Sequence, residues 1–253
     1  MVLKAIRGAL GFLTRLPIGT DEAAWTAFCR TPSAFVLAAY PIGALIALPV
    51  GVGLWLVPDV EASVAALLVG GVIGLTGVNH ADGIADLGDA VVVHGDRERR
   101  RSVMKDTTVG VGAVLALTST LVGLALAGMA LTNCPPLVAV GLVIAAEVGT
   151  KLGLAAIACL GTATHEGLGS AFTTATTPRA LFGPTVVALF ACGLTGRSLG
   201  GTTAVVVGLC TGLAVSVWAY RTLGGVSGDV FGGANELGRV FALHAGVIAW
   251  TLS

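Results

Sequence analysis

From Ala34 to Val57 the chain carries no charged residue, and the same is true from Ala62 to Val78 and from Val109 to Leu131. Leu137 to Leu160 is equally apolar but holds Glu147 and Lys151, and Thr202 to Tyr220 forms a further uncharged run. Crossing the hydrocarbon of a bilayer takes about 20 apolar residues in a helix. Lipid offers no water to an open backbone, so each such run must close its own hydrogen bonds as a helix. Two weaker segments, Ala180 to Leu194 and Val240 to Leu252, extend the series. Only 11% of residues are charged and 55% are hydrophobic, against about 25% charged in soluble domains. The sequence therefore predicts an all-α, polytopic transmembrane helix bundle of about six or seven spans, organised as one integral-membrane domain over 1–253. The 37 glycines suit close helix contact in a bilayer.

The connecting segments refine this layout. Residues 2–16 mix apolar positions with Lys4, Arg7 and Arg15. They lack the long apolar run and cleavage site of a signal peptide. They predict an amphipathic interfacial helix stopped by Pro17. Residues 18–32 predict a polar connector, Pro58 and Asp59 a turn, and residues 133–136 a tight loop. Residues 161–180 and 221–239 are polar and rich in glycine. Net charge is zero, and no basic tract is interleaved with aromatics, so no nucleic-acid partner is expected. The five cysteines are scattered without a CxxC, which indicates neither zinc nor a disulfide framework. Placing the N-terminus in the cytoplasm leaves only Arg197 on the outer side, as the positive-inside rule requires. The expected location is thus the cytoplasmic membrane, with residues 80–106, 161–180 and 221–239 sharing the inner face.

Six of the 14 acidic residues fall between His80 and Asp106: Asp82, Asp86, Asp89, Asp96, Glu98 and Asp106. Unpaired charge beside hydrocarbon costs several kcal/mol. Asp82, Asp86 and Asp89 are spaced four and three apart, which puts them on one face of a helix. Carboxylates this dense repel one another unless a cation sits between them, and hard oxygen ligands suit Mg²⁺, Mn²⁺ or Ca²⁺. An exposed acidic turn with solvated charges is the alternative.

A magnesium cluster with cations nearby suits phosphoryl transfer. The available cations are Arg15, Arg101, Lys105 and Lys151. Lys151 lies within a span four residues after Glu147, so both an internal ion pair and a substrate contact are open to it. His80 is placed to orient a phosphate or carboxylate. A second polar cluster holds Gly224, Gly225, Gly228, Asp229 and Glu236. Glycine backbone beside carboxylates fits close approach to phosphate and metal, and a flexible loop is the plainer alternative. No P-loop is present.

With these residues in view, the chain resembles the cobalamin synthase family, the adenosylcobinamide-GDP ribazoletransferases. The likeness lies in Gly11 to Pro17, Tyr40 to Gly43, His80 to Asp86 through Asp89, Met104 to Asp106 with Gly110, His165 to Gly169, and Gly224 to Glu236. It departs at Val78-Asn79 before the histidine, Ala90 after the third aspartate, Thr150-Lys151 for a Ser-Arg pair, and Arg239 for a glutamate; Arg239 is given no role. The resemblance implies an Mg²⁺-dependent membrane transferase that joins α-ribazole, or its 5′-phosphate, to adenosylcobinamide-GDP and releases GMP. Asp82, Asp86, Asp89 and Asp229 would then hold the metal, with Lys105 and either Asp89 or Asp106 serving the chemistry. Arg15, His80, Lys151, Gly224, Gly225, Gly228 and Glu236 would meet substrate. A homo-oligomer is left open. Two competing readings are an ion or solute transporter, which usually shows repeats and broken helices in both halves, and a phosphotransferase acting on CDP-alcohols. The latter uses a longer Asp motif with Ala-Arg where this chain has Ala85-Asp86.

Overall fold

In a computed structural model, which describes all residues except 20, 57–59 and 197–198, the apolar runs are helices. The turn expected at Pro58-Asp59 and the outer Arg197 lie outside the described residues. In chain order the helices are α1 (Val2–Leu13), α2 (Glu22–Cys29), α3 (Ser33–Leu56), α4 (Glu61–Thr76), α5 (Asn79–Val92) and α6 (Arg97–Val103). They continue with α7 (Val111–Ala130), α8 (Pro136–Leu160), α9 (Leu168–Thr173), α10 (Phe182–Cys192), α11 (Gly200–Thr222) and α12 (Gly228–Thr251). Helix α3 passes unbroken through Pro41 and Pro49.

Among the described residues, four helices are long and apolar enough to cross a membrane, or five if α4 and α5 are joined across their 100° bend. The sequence expected six or seven. The difference has two sources. Helix α10 is only 11 residues long. Helix α12 starts at Gly228, twelve residues before the apolar stretch that marked it, so its first half carries Asp229, Asn235, Glu236 and Arg239. Their partners lie on other helices, and a hydropathy reading cannot see them.

The segment expected as a connector at 18–32 also contains a helix. Asp21 caps α2 by accepting from the Ala24 amide at 2.7 Å, and Glu22 adds negative charge to the first turn. Arg7 of α1 pairs with Asp21, which ties the interfacial helix to α2.

Helix α8 is the buried centre, with α3, α11 and α12 packed around it. It crosses α11 at two glycine pairs of matched spacing, Gly149 and Gly153 against Gly208 and Gly212. A Cβ on Gly208 would lie 2.5 Å from the Gly149 carbonyl carbon, and one on Gly153 would lie 2.9 Å from the Gly208 oxygen. Small residues four apart let two backbones touch, and dispersion then replaces the hydrophobic drive that lipid cannot supply.

Helix α5 packs against α12 and α7. A Cβ on its Gly83 would meet the Asp229 oxygen at 2.7 Å, and one on Gly88 would meet the Gly112 oxygen at 2.5 Å. These two contacts seat it against the N-termini of α12 and α7, beyond the 100° bend that follows α4. At about 100° per residue, Asp82, Asp86 and Asp89 share one side. Ile84, Leu87, Gly88 and Val91 share the opposite side.

Candidate active site

Three connections meet at this end of the bundle. The Arg15 amide donates to the Leu75 carbonyl at 2.8 Å, and the Arg15 side chain covers Gly77, whose φ of 71° begins the turn into α5. The α8–α9 and α11–α12 connections are joined by a parallel bridge between Ala163 and Val226. There Val226 donates to Thr162 at 2.8 Å and Thr164 donates to Val226 at 3.1 Å. Gly225 is required by this bridge, since its φ is 158° and a Cβ would come within 2.4 Å of the Thr162 oxygen. Gly224 turns at φ 87° beside Arg97, and Gly228 packs on Leu168.

Two adjoining cavities result. The larger, about 260 Å³, is walled by His80, Asp82, Asp229 and Gly228 on one side and by Phe12, Phe35 and Phe231 on the other. Behind these phenylalanines the rings of Trp25, Phe28 and Phe172 continue the cluster, with Phe28 and Phe35 centroids 4.7 Å apart. Five of the chain's eight phenylalanines thus gather here from separate segments, a feature the sequence reading missed because no spacing links them. The smaller cleft, about 40 Å³, is lined by Arg101, Met104, Lys105, Thr164, His165, Gly225 and Ser227. Asp229 lines both, so the structure brings Lys105 and Arg101 to the same carboxylate that faces Asp82 and His80.

The acidic residues divide into two groups. Asp82 is exposed, Asp86 half-buried, and Asp229 half-buried with its Oδ2 accepting from Ser227 Oγ at 3.1 Å. Asp86 feels the charges of Asp229, Asp82 and Asp89, so the four carboxylates lie within electrostatic reach of one another. Asp89 is used differently. Its two oxygens accept from the Gly110 and Ala113 amides, both at 2.9 Å, and so cap the N-terminus of α7. Asp106 is exposed and lines neither cavity. Hydrogen bonds from Thr108 hold its carboxyl below the usual range.

The chemistry of the donor set, oxygen carboxylates in mutual repulsion, fits a hard divalent cation at Asp82, Asp86 and Asp229. Among the described residues no three His, Cys, Asp or Glu side chains already stand close enough together to hold a metal ion. Ser227 is the N-cap residue of α12, which leaves Asp229 in the first turn and not as the cap.

Beneath His80 lies a buried network that the sequence only half revealed. Glu147 pairs with both Lys151 and Arg239. Arg239 Nη1 donates to both oxygens of Glu236 at 2.8 and 2.9 Å. Asn235 Nδ2 donates to Glu236 Oε1 at 3.0 Å and faces His80 Nδ1 at 3.1 Å. Lys151 and Arg239 are 0% and 1% exposed. Lys151 and Glu236 are thus engaged within the core, on Glu147 and Arg239 respectively, and line neither cavity. Two carboxylates and two cations balance, which is the condition for burying them. Arg239 is the residue that joins the two pairs. The sequence signal for it was a lone cation within an acidic helical face, four residues from Asn235 and three from Glu236.

The whole chain can be compared with known proteins at this point. Residues 5–247 match the family model of cobalamin-5-phosphate synthase. The chain is 48% identical over 262 residues to an adenosylcobinamide-GDP ribazoletransferase of Halorubrum lacusprofundi, covering 99% of each protein. It is 48% identical over 258 residues to the protein of that name in Haloquadratum walsbyi, covering 100% of each. The like-named protein of Methanocella arvoryzae is 30% identical over 98% of this chain and 97% of its own length. No solved structure matches. With its motifs in order and its full length matched, the chain belongs to the cobalamin-5-phosphate synthase family of enzymes.

Proposed function

We propose that this chain is a magnesium-dependent adenosylcobinamide-GDP ribazoletransferase. It would join α-ribazole, or its 5′-phosphate, to the cobinamide-side phosphate and release GMP. The observation that carries the reading is the placement of Asp229 on the walls of both cavities, between Asp82 and His80 on one side and Lys105 and Arg101 on the other. A diphosphate needs carboxylate-bound metal and cationic side chains at once, and this is where the chain offers both.

Asp82, Asp86 and Asp229 would hold the magnesium. When bound, it supplies positive charge to the diphosphate oxygens and favours departure of the nucleoside monophosphate. Lys105 and Arg101 bind phosphate oxygens from the smaller cleft, and exposed Arg15 adds positive field at the mouth. His80 orients a phosphate oxygen from the larger cavity. With Asn235 donating to Nδ1, the N–H it presents is on Nε2. The phenylalanine wall offers an apolar surface to a flat heteroaromatic base and excludes water from it. Asp89, committed to α7, and Asp106, outside both cavities, act as structural acceptors.

The direct test is turnover of purified protein with adenosylcobinamide-GDP and α-ribazole across a magnesium titration. Wild type is expected to produce GMP only with magnesium. Asp229→Ser is expected to shift the half-saturating magnesium upward at least about tenfold, the scale of losing one major electrostatic contact. An unchanged magnesium dependence in that variant removes Asp229 from the metal site.

In this reading the site end of the bundle faces the cytoplasm, which the cations flanking it support. Cysteines introduced near Asp96 and Ser170 are expected to react only from the cytoplasm, and one near Asn133 only from outside. Labelling at Asp96 from outside would reverse the orientation.

A further inference from the structure

A further cavity lies away from the carboxylates. It is an apolar groove of about 730 Å³ on the opposite face of α5, between α5, α7, α11 and α12. Its walls include Leu87, Val91, Leu115, Val207, Trp218 and Phe241. Phe241, Leu115 and Val91 are more than half exposed, so the groove opens sideways from the bundle.

Its length and its mouth identify what covers it. Along α11 it runs from Trp218 to Val207, eleven residues, or about 16 Å at the helical rise. That is roughly half the ~30 Å hydrocarbon of a bilayer, one leaflet's depth. The Trp218 end lies at the site face of the bundle, where tryptophan favours the level of lipid headgroups. Helix α6 lies over this end. Arg97 Nε donates to the Arg221 carbonyl at 3.3 Å, one turn beyond Trp218. Arg100 Nη1 donates to the Val91 carbonyl at 3.3 Å and to that of Ala90. One guanidinium is thus fixed to each rim of the groove. Arg97, Arg99, Arg100 and Arg101 outnumber Glu98 on α6, and Arg221 is exposed beside them.

We propose that this groove binds one membrane lipid with an acidic phosphate headgroup, its hydrocarbon chain between α5 and α11 and its phosphate beside Arg97 and Arg100. The inference is independent of the transferase reading, since none of these residues lines the carboxylate cavity. Such a lipid fills the space beneath the apolar side of α5, whose other side carries Asp82 and Asp86.

Cys210 is exposed on the groove wall and reports its occupancy. In delipidated protein in detergent, a small thiol reagent is expected to modify Cys210 readily. Added phosphatidylglycerol is expected to slow the reaction roughly tenfold more than phosphatidylcholine, the preference expected of two arginines near a phosphate. Arg97→Gln combined with Arg100→Gln should retain protection but lose the preference. Ala214→Trp, which fills the groove from a lipid-exposed position, should abolish the lipid retained in native mass spectra. Equal protection by the two lipids in wild type, or undiminished lipid retention in Ala214→Trp, overturns the proposal. So does efficient Cys210–Cys210 cross-linking in bilayers, which would show a second copy covering the groove.

Discussion

Asp82→Asn is expected to lower turnover by more than about a hundredfold, the scale for removing a principal electrostatic element from a reaction centre, with the protein still folded in the membrane. Asp82 is exposed on the carboxylate side of α5 and, among the described residues, its side chain makes no hydrogen bond, so its replacement leaves the fold intact. What it does offer is charge at the wall of the cavity it shares with Asp229 and His80. Turnover near that of wild type would remove Asp82 from the metal site. Asp89→Asn makes a useful contrast. Its oxygens hold the first turn of α7, so its loss should appear in thermal stability as well as in rate.

The second large effect is on folding. Glu147→Gln leaves Lys151 and Arg239 with Glu236 as their one remaining buried carboxylate. Breaking a buried pair in this way costs about 3–5 kcal/mol, a large share of the ~5–15 kcal/mol that holds a typical protein together. The expected result is poor recovery of folded protein and a clear fall in resistance to denaturation. Adding Lys151→Met to Glu147→Gln restores the charge balance and should return at least half of the loss. If the double variant is as unstable as the single one, charge balance is not what holds α8 to α12, and shape alone must be credited.

Much of the fold can be read from the sequence, because lipid imposes one rule on every apolar run. Helices α3, α7, α8 and α11 fall within two or three residues of where hydropathy puts them. The acidic face of α5 follows from spacing alone. Helix α12 does not, because Glu236 and Arg239 look like surface polar residues until Glu147 arrives from α8. Lys151 was legible as a partner of Glu147 because the two share a helix, whereas Arg239 lies 92 positions from Glu147. Helix α2 escaped for a similar reason. Its cap is local, but its stability comes from Phe28 and Trp25 meeting rings from α1 and α9. The glycines at 224 and 225 look like phosphate-binding backbone, and the structure finds them also needed for the turn and the bridge to Thr162.

Helix α5 is fastened at its start, where Arg15 lies over Gly77, and near its end, where Asp89 grips α7. Along its flanks Gly83 and Gly88 touch neighbouring backbone directly, which fixes its distance from α12 and α7. The wall bearing Asp82 and Asp86 is therefore stiff, and its orientation is set before any ligand arrives, which spares the reaction the cost of arranging those charges. Compliance has to come from the facing side. There the Lys105 segment follows the short α6, which Arg97 and Arg100 fasten to α11 and α5, and the loop from Thr162 to Gly167 is joined to Val226 by one backbone bridge. On the proposed function, a bulky nucleotide would be accommodated at that side and not by moving the carboxylates.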